Sequence, residues 1–91
     1  MVLVMKELPI DIGENVLAVA PSFTPLSARF IRGKLTLFGT ATAGEGFDSH
    51  LKLTVAPGNA SLPADATFFE TVIVPHSQPG NESAFHIFTH A

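Results

Sequence analysis

Apolar residues in this chain come in short runs, divided by stretches rich in glycine, proline, asparagine and serine. No long stretch repeats apolar residues at i, i+3, i+4 and i+7 without a breaker, so little or no helix is expected. The runs alternate with period two instead, as strands buried on one face do. His50–Val55 alternates most cleanly, with Leu51, Leu53 and Val55 on one face and His50, Lys52 and Thr54 on the other. Val2–Ile12 is also a strand, and Pro9, which has no N–H, assigns it to a sheet edge. Asn15–Ala20 is a second strand, broken by Pro21 and Pro25. Leu26–Ile31 and Lys34–Thr40 flank Arg32-Gly33, a spacing that predicts a tight hairpin with Gly33 at positive φ. Ala43–Ser49 reads as a loop. Ala56–Thr67 reads as the longest irregular stretch, with room for one helical turn from Ser61 or Pro63. Phe68–His76 is a strong strand, Pro79-Gly80-Asn81 signals a turn, and Ala84–His90 closes the chain.

The expected fold is all-β: about seven short antiparallel strands in one domain over residues 1–91, as a small sandwich or open barrel. The alternation selects Val16, Val19, Phe30, Leu35, Leu37, Leu51, Leu53, Val55, Phe69, Ile73, Phe85 and Ile87 as its core.

Composition narrows function more than it defines it. Of the 91 residues 14% are charged, against about 25% in typical domains, which leaves uncharged surface for contact with another chain. The net charge of −3 argues against nucleic acid as a main partner, since that binding runs on cation–phosphate contacts. With no cysteine there is no disulfide, thiol nucleophile or zinc ribbon. The apolar start, Met1 to Met5, is shorter than a signal peptide or membrane span requires, so a cytoplasmic protein without a membrane segment is expected.

Catalytic and metal patterns are weak. His86 and His90 share one side of the last strand about 13 Å apart, too far to hold one ion together. If the last two strands pair symmetrically about their loop, Glu70 falls opposite His90 and His76 opposite Ala84, with the histidines on a wet face. Asp48-Ser49-His50 has the residue types of a triad, but sequence neighbours point different ways. Gly44-Glu45-Gly46 lacks the remainder of a phosphate loop. No catalytic residue, cofactor or metal ligand is assigned.

Two surfaces stand out for binding. Val2-Leu3-Val4-Met5 is an uncharged strand edge, open to pairing with another chain unless it pairs within its own sheet. Arg29, Arg32 and Lys34 gather three of the five cations on one hairpin, suited to an acidic partner or phosphate unless it is a solvated turn. The candidate partner-binding residues are Val2, Val4, Arg29, Arg32 and Lys34, with Asn59 and Asp65 from the long loop.

Leu8-Pro9-Ile10, Gly13–Val19, Ser61–Asp65, Phe69–Val72 and Phe85-His86-Ile87-Phe88 occur in an order that resembles a family of small proteins of unknown function found mainly in phages and prophages. Glu70 stands where that family usually has Gly, its middle-strand Trp is Phe38 or absent, and Arg29–Lys34 has no clear counterpart. The resemblance implies a β-rich fold and a phage or prophage origin, and carries no catalytic residues.

The expected function is therefore that of a phage-type accessory protein, not an enzyme, which binds another protein as a host-factor binder or modulator, by strand addition at an edge or through the Ala56–Thr67 loop. One alternative is a homo-oligomeric structural or virion-associated component. Another is a small-molecule or nucleotide binder using His50, His76, His86, His90 and Arg32, and a third is nucleic-acid binding through the Arg29–Lys34 hairpin.

Overall fold

The computed structural model describes residues 2–58, 64–75 and 82–90. They form seven strands: β1 (Leu3–Pro9), β2 (Gly13–Val19), β3 (Thr24–Ile31), β4 (Lys34–Thr42), β5 (Ser49–Pro57), β6 (Ala66–Pro75) and β7 (Glu82–His90). All ladders are antiparallel. They build a three-stranded sheet, β1-β4-β3, and a four-stranded sheet, β2-β5-β7-β6. The two sheets are not closed into a barrel, and there is no helix among the described residues. The all-β expectation holds, in its sandwich form.

The β3–β4 hairpin turns on Arg32 and Gly33, at φ of 49° and 76°. Two central residues at positive φ make a type I′ turn, whose twist matches that of the strands it joins. Arg32 thus adopts a conformation uncommon for a residue with a side chain. Pro9 ends β1 at a sheet edge, as expected. Pro25 lies inside β3, also an edge strand, beside a bulge between Pro25 and Ser27.

Facing side chains of the two sheets make the core: Ile10, Ala28, Leu35, Leu37, Leu53, Val55, Val72 and Ile87 are buried, with Leu8, Leu17, Phe23, Phe30, Leu51, Phe69, Val74 and Phe85 packed around them. Burying a side chain of the size of Leu53 or Ile87 contributes about 1.5–3 kcal/mol. Val16 and Ile73, expected in the core, are exposed. In β2 it is Asn15, Leu17 and Val19 that pair with the inward residues of β5, so Val16 faces out. Asn15 turns inward because its amide holds the β1–β2 corner: Oδ1 accepts from the Asp11 N–H at 2.9 Å, and Nδ2 donates to the Asp11 carbonyl at 2.8 Å. In β6, Val72 and Val74 take the inward positions and leave Ile73 outside.

The β6–β7 register also departs from the symmetric expectation. Glu70 pairs with Ile87, Ile73 with Ala84 and Ala66 with His90, after a shift between Phe68 and Glu70. Pro75 already pairs with Glu82, so the ladder is centred closer to β6 than a Ser77–Ser83 loop implies; the bulge lies beyond Glu70 from that end and displaces only the pairs from Phe68 back to Ala66. His76, the Pro79-Gly80-Asn81 turn and the Ser61–Pro63 stretch lie outside the described residues. Strands β5 and β6 reach to Pro57 and from Ala66, so both ends of the stretch expected to be irregular are strand.

Gly39 of β4 is constrained by its neighbours. A Cβ there would stand 2.4 Å from the Phe23 ring and 2.5 Å from the Thr24 carbonyl oxygen, so only glycine lets Phe23 lie against the strand.

Candidate partner-binding edge

Among the described residues, strand β1 has β4 on one side and no strand on the other. Ala43 donates to the Val2 carbonyl at 2.8 Å and Ile10 to the Leu35 carbonyl at 3.1 Å, which fixes the alternation of the ladder between them. Even-numbered residues of β1 bond to β4, and Leu3, Met5 and Glu7 turn their backbone N–H and C=O to the free edge. The same residues carry their side chains on the outer face, where Leu3 and Met5 are each 61% exposed. A strand that is apolar over Leu3–Met5, with unused backbone groups, is therefore presented at the surface. Of the two valines assigned to this edge, Val2 is exposed, whereas Val4 is half-buried and pairs with buried Ala41.

Strand β3, the opposite edge of the same sheet, is obstructed. Glu70 reaches from β6 to accept the Ala28 N–H and an Arg29 Nη1 hydrogen bond at 2.8 Å. Arg29 Nη1 also donates to the Ala28 carbonyl at 3.0 Å. One carboxylate and one guanidinium thus occupy the outward backbone groups of Ala28, and Pro25 and the bulge disrupt the remainder of the edge. Nothing in the residue pattern assigned this part to Glu70. The available signal was a lone charge inside the otherwise uncharged run Phe68–Val74.

The expected basic hairpin is not a free positive patch. Arg29 pairs with Glu70 at 2.8 Å, Arg32 with Glu7 at 3.2 Å and Lys34 with Asp11 at 3.8 Å. Lys52 pairs with Glu14 at 2.9 Å on the other sheet. Lys52 holds the Glu14 carboxyl below its ordinary value by hydrogen bond and charge, and Glu14 raises the Lys52 ammonium in return. Lys6 is left as the one cation without a carboxylate partner among the described residues, with its Nζ 5.9 Å from the centroid of the Phe47 ring.

Lys6 lines a cleft of about 170 Å³ beneath the β1 edge, walled mainly by Leu8, Val19, Ala20, Phe23, Ala41 and Phe47. The turn before β3 and the loop after β4 are tied together at this end. Ser22 donates through its N–H and hydroxyl to the Glu45 carboxylate, and Thr42 donates its N–H to Ser22 Oγ at 2.8 Å. Gly44-Glu45-Gly46 is thus a structural connection whose acid is already engaged.

Among the described residues the histidines do not converge on one site. His86 Nδ1 lies 2.8 Å from Thr71 Oγ1. His90 has Nε2 2.7 Å from Thr54 Oγ1 and Nδ1 3.4 Å from an Asp65 oxygen. The expectation of a wet His90 is corrected: its side chain is only 5% exposed, between β5 and the residues leading into β6. Asp65, assigned to a partner, instead faces this histidine, and Asn59 lies outside the described residues. No group of three or more His, Asp or Glu is placed to hold a metal ion among the described residues. Among the described residues no helix is long and apolar enough to cross a membrane.

The chain matches no protein-family model, no curated protein and no solved structure.

Proposed function

We propose that this chain is a non-catalytic binding protein, of the phage-type accessory kind its sequence resembles, acting on a protein partner in the host cytoplasm. The partner adds a strand to the free edge of β1. The observation that carries the reading is the coincidence at Leu3 and Met5 of exposed apolar side chains with outward backbone groups. Strand addition takes its affinity from the main chain and its specificity from alternate side chains.

The test begins with the free chain. Amide exchange is expected to alternate along β1, fast at Leu3, Met5 and Glu7 and slow at Val4, Lys6 and Leu8. A displayed library of extended peptides is then selected against the chain. The reading expects binders that protect the three fast amides and that lose binding to Met5→Lys. Binders that leave those amides unprotected would overturn it. Light scattering separates a second copy from a different protein as occupant, since a discrete oligomer of the chain alone favours the homo-oligomeric version.

A further inference from the structure

We infer that the partner strand carries the pattern apolar-x-acidic, with the apolar side chain seated in the cleft under β1 and the acid on Lys6. This rests on the strand-addition reading above and adds the chemistry of the occupant. A three-stranded sheet faces a four-stranded one, and Glu70 ties edge β3 to edge β6. Counted from that tied side, β2 is the strand left without a counterpart, and the vacant position is the one beside β1. A strand added there extends the smaller sheet over the cleft, whose walls come from β1 through Lys6 and Leu8 and from β2 through Ala18 and Val19.

The ladder specifies which partner residues enter. Leu3, Met5 and Glu7 offer the hydrogen bonds, so partner residues opposite Lys6 and Leu8 sit at non-hydrogen-bonded positions, where facing side chains approach most closely. Side chains at those positions share the inward face of Lys6 and Leu8. Beside Leu8 the cleft is apolar, and its volume of about 170 Å³ compares with the cavities of about 150 Å³ that take a benzene ring. A Phe or Leu side chain fits that space. Lys6, alone among the cations in lacking a carboxylate among the described residues, calls for an acid two positions away. In an antiparallel strand the residue opposite Leu8 precedes the one opposite Lys6, which sets the order. Pro9 offers no N–H, so the ladder stops beyond Glu7.

The probes are three synthetic peptides, Thr-Phe-Thr-Glu-Thr-Val and its Phe-x-Lys and Ala-x-Glu versions, titrated into isotope-labelled chain by NMR. The Phe-x-Glu peptide is expected to bind about tenfold tighter than either control. Lys6→Glu reverses the preference between Phe-x-Glu and Phe-x-Lys. Met5→Pro removes an outward N–H and abolishes binding of all three, and Met5→Lys gives the same result should the proline variant not fold. If all three peptides bind alike and Lys6→Glu changes nothing, while Met5→Lys still abolishes binding, the pattern is overturned and strand addition stands. If no peptide shifts the β1 amides, both fall.

Discussion

Strands β1 and β3 flank the same central strand, β4, and present opposite kinds of edge. At β3 the outward backbone groups of Ala28 are taken by Glu70 and Arg29, and a proline and a bulge interrupt the rest. At β1 Leu3, Met5 and Glu7 leave theirs open, with only Pro9 closing one end. Natural sheets block edges that would otherwise pair with other chains. A sheet that blocks one edge with a charged pair and leaves the other apolar and uncharged over Leu3–Met5 has one edge suited to a strand from elsewhere. The difference shows that edge chemistry depends on a particular side chain reaching from the opposing sheet, Glu70, together with the strand's own Arg29, Pro25 and bulge.

The comparison can be broken most severely at its shared support. Gly39→Ala drives a Cβ into the Phe23 ring and the Thr24 carbonyl, so both edges should lose their footing; a destabilisation of about 3 kcal/mol is expected in urea unfolding. Glu70→Ala tests the guarded edge alone. It strips the Ala28 N–H and Arg29 of their acceptor and should cost about 2 kcal/mol, with new concentration-dependent association seen by light scattering. Leu3→Lys tests the open edge. It should leave stability within about 0.5 kcal/mol of the natural chain while removing strand addition, the inverse of the Glu70 result.

The smallest effect concerns Glu14 and Lys52, away from both edges. The Glu14 pKa is lowered in the folded chain, so its contribution is full above the ordinary Glu value and is lost as pH falls through the lowered one. The Lys52 pKa is raised, so its contribution is full below the ordinary Lys value and is lost as pH rises through the raised one. Melting temperatures across pH should show a shallow acid limb that Lys52→Met removes and high salt flattens. An acid limb unchanged in Lys52→Met would assign it to other carboxylates.

Much of this architecture was legible in the residue pattern. Strand alternation placed Leu51, Leu53 and Val55 inward, and Arg32-Gly33 marked its hairpin. The failures share a physical cause. Where a strand is apolar on both faces, as in Val72-Ile73-Val74, alternation cannot choose a face, and Phe88 is buried on the outer side against Phe68, whose ring centroid is 5.7 Å away. Where a polar residue turns inward to serve the backbone, as Asn15 does, the pattern is read one residue out of step. The β1 edge is visible as an apolar run, but outward and inward residues are distinguished only by the register with β4, so the run alone does not separate Val4 from Leu3 and Met5. Glu70 and Lys6 take their importance from partners, present or missing, that lie far away in the chain.

The position of β4 has a consequence for biosynthesis. Strand β1 ends at Pro9 and its partner among the described residues begins at Lys34, 25 residues later. At about 5–20 residues per second, β1 waits about one to five seconds on the ribosome for the strand that pairs it. The β3–β4 hairpin, closed by two residues, forms within about ten microseconds of its completion. Until then Val2 to Met5 is an unpaired apolar segment on both sides, and any protein that recognises the finished edge meets the same residues first on the nascent chain.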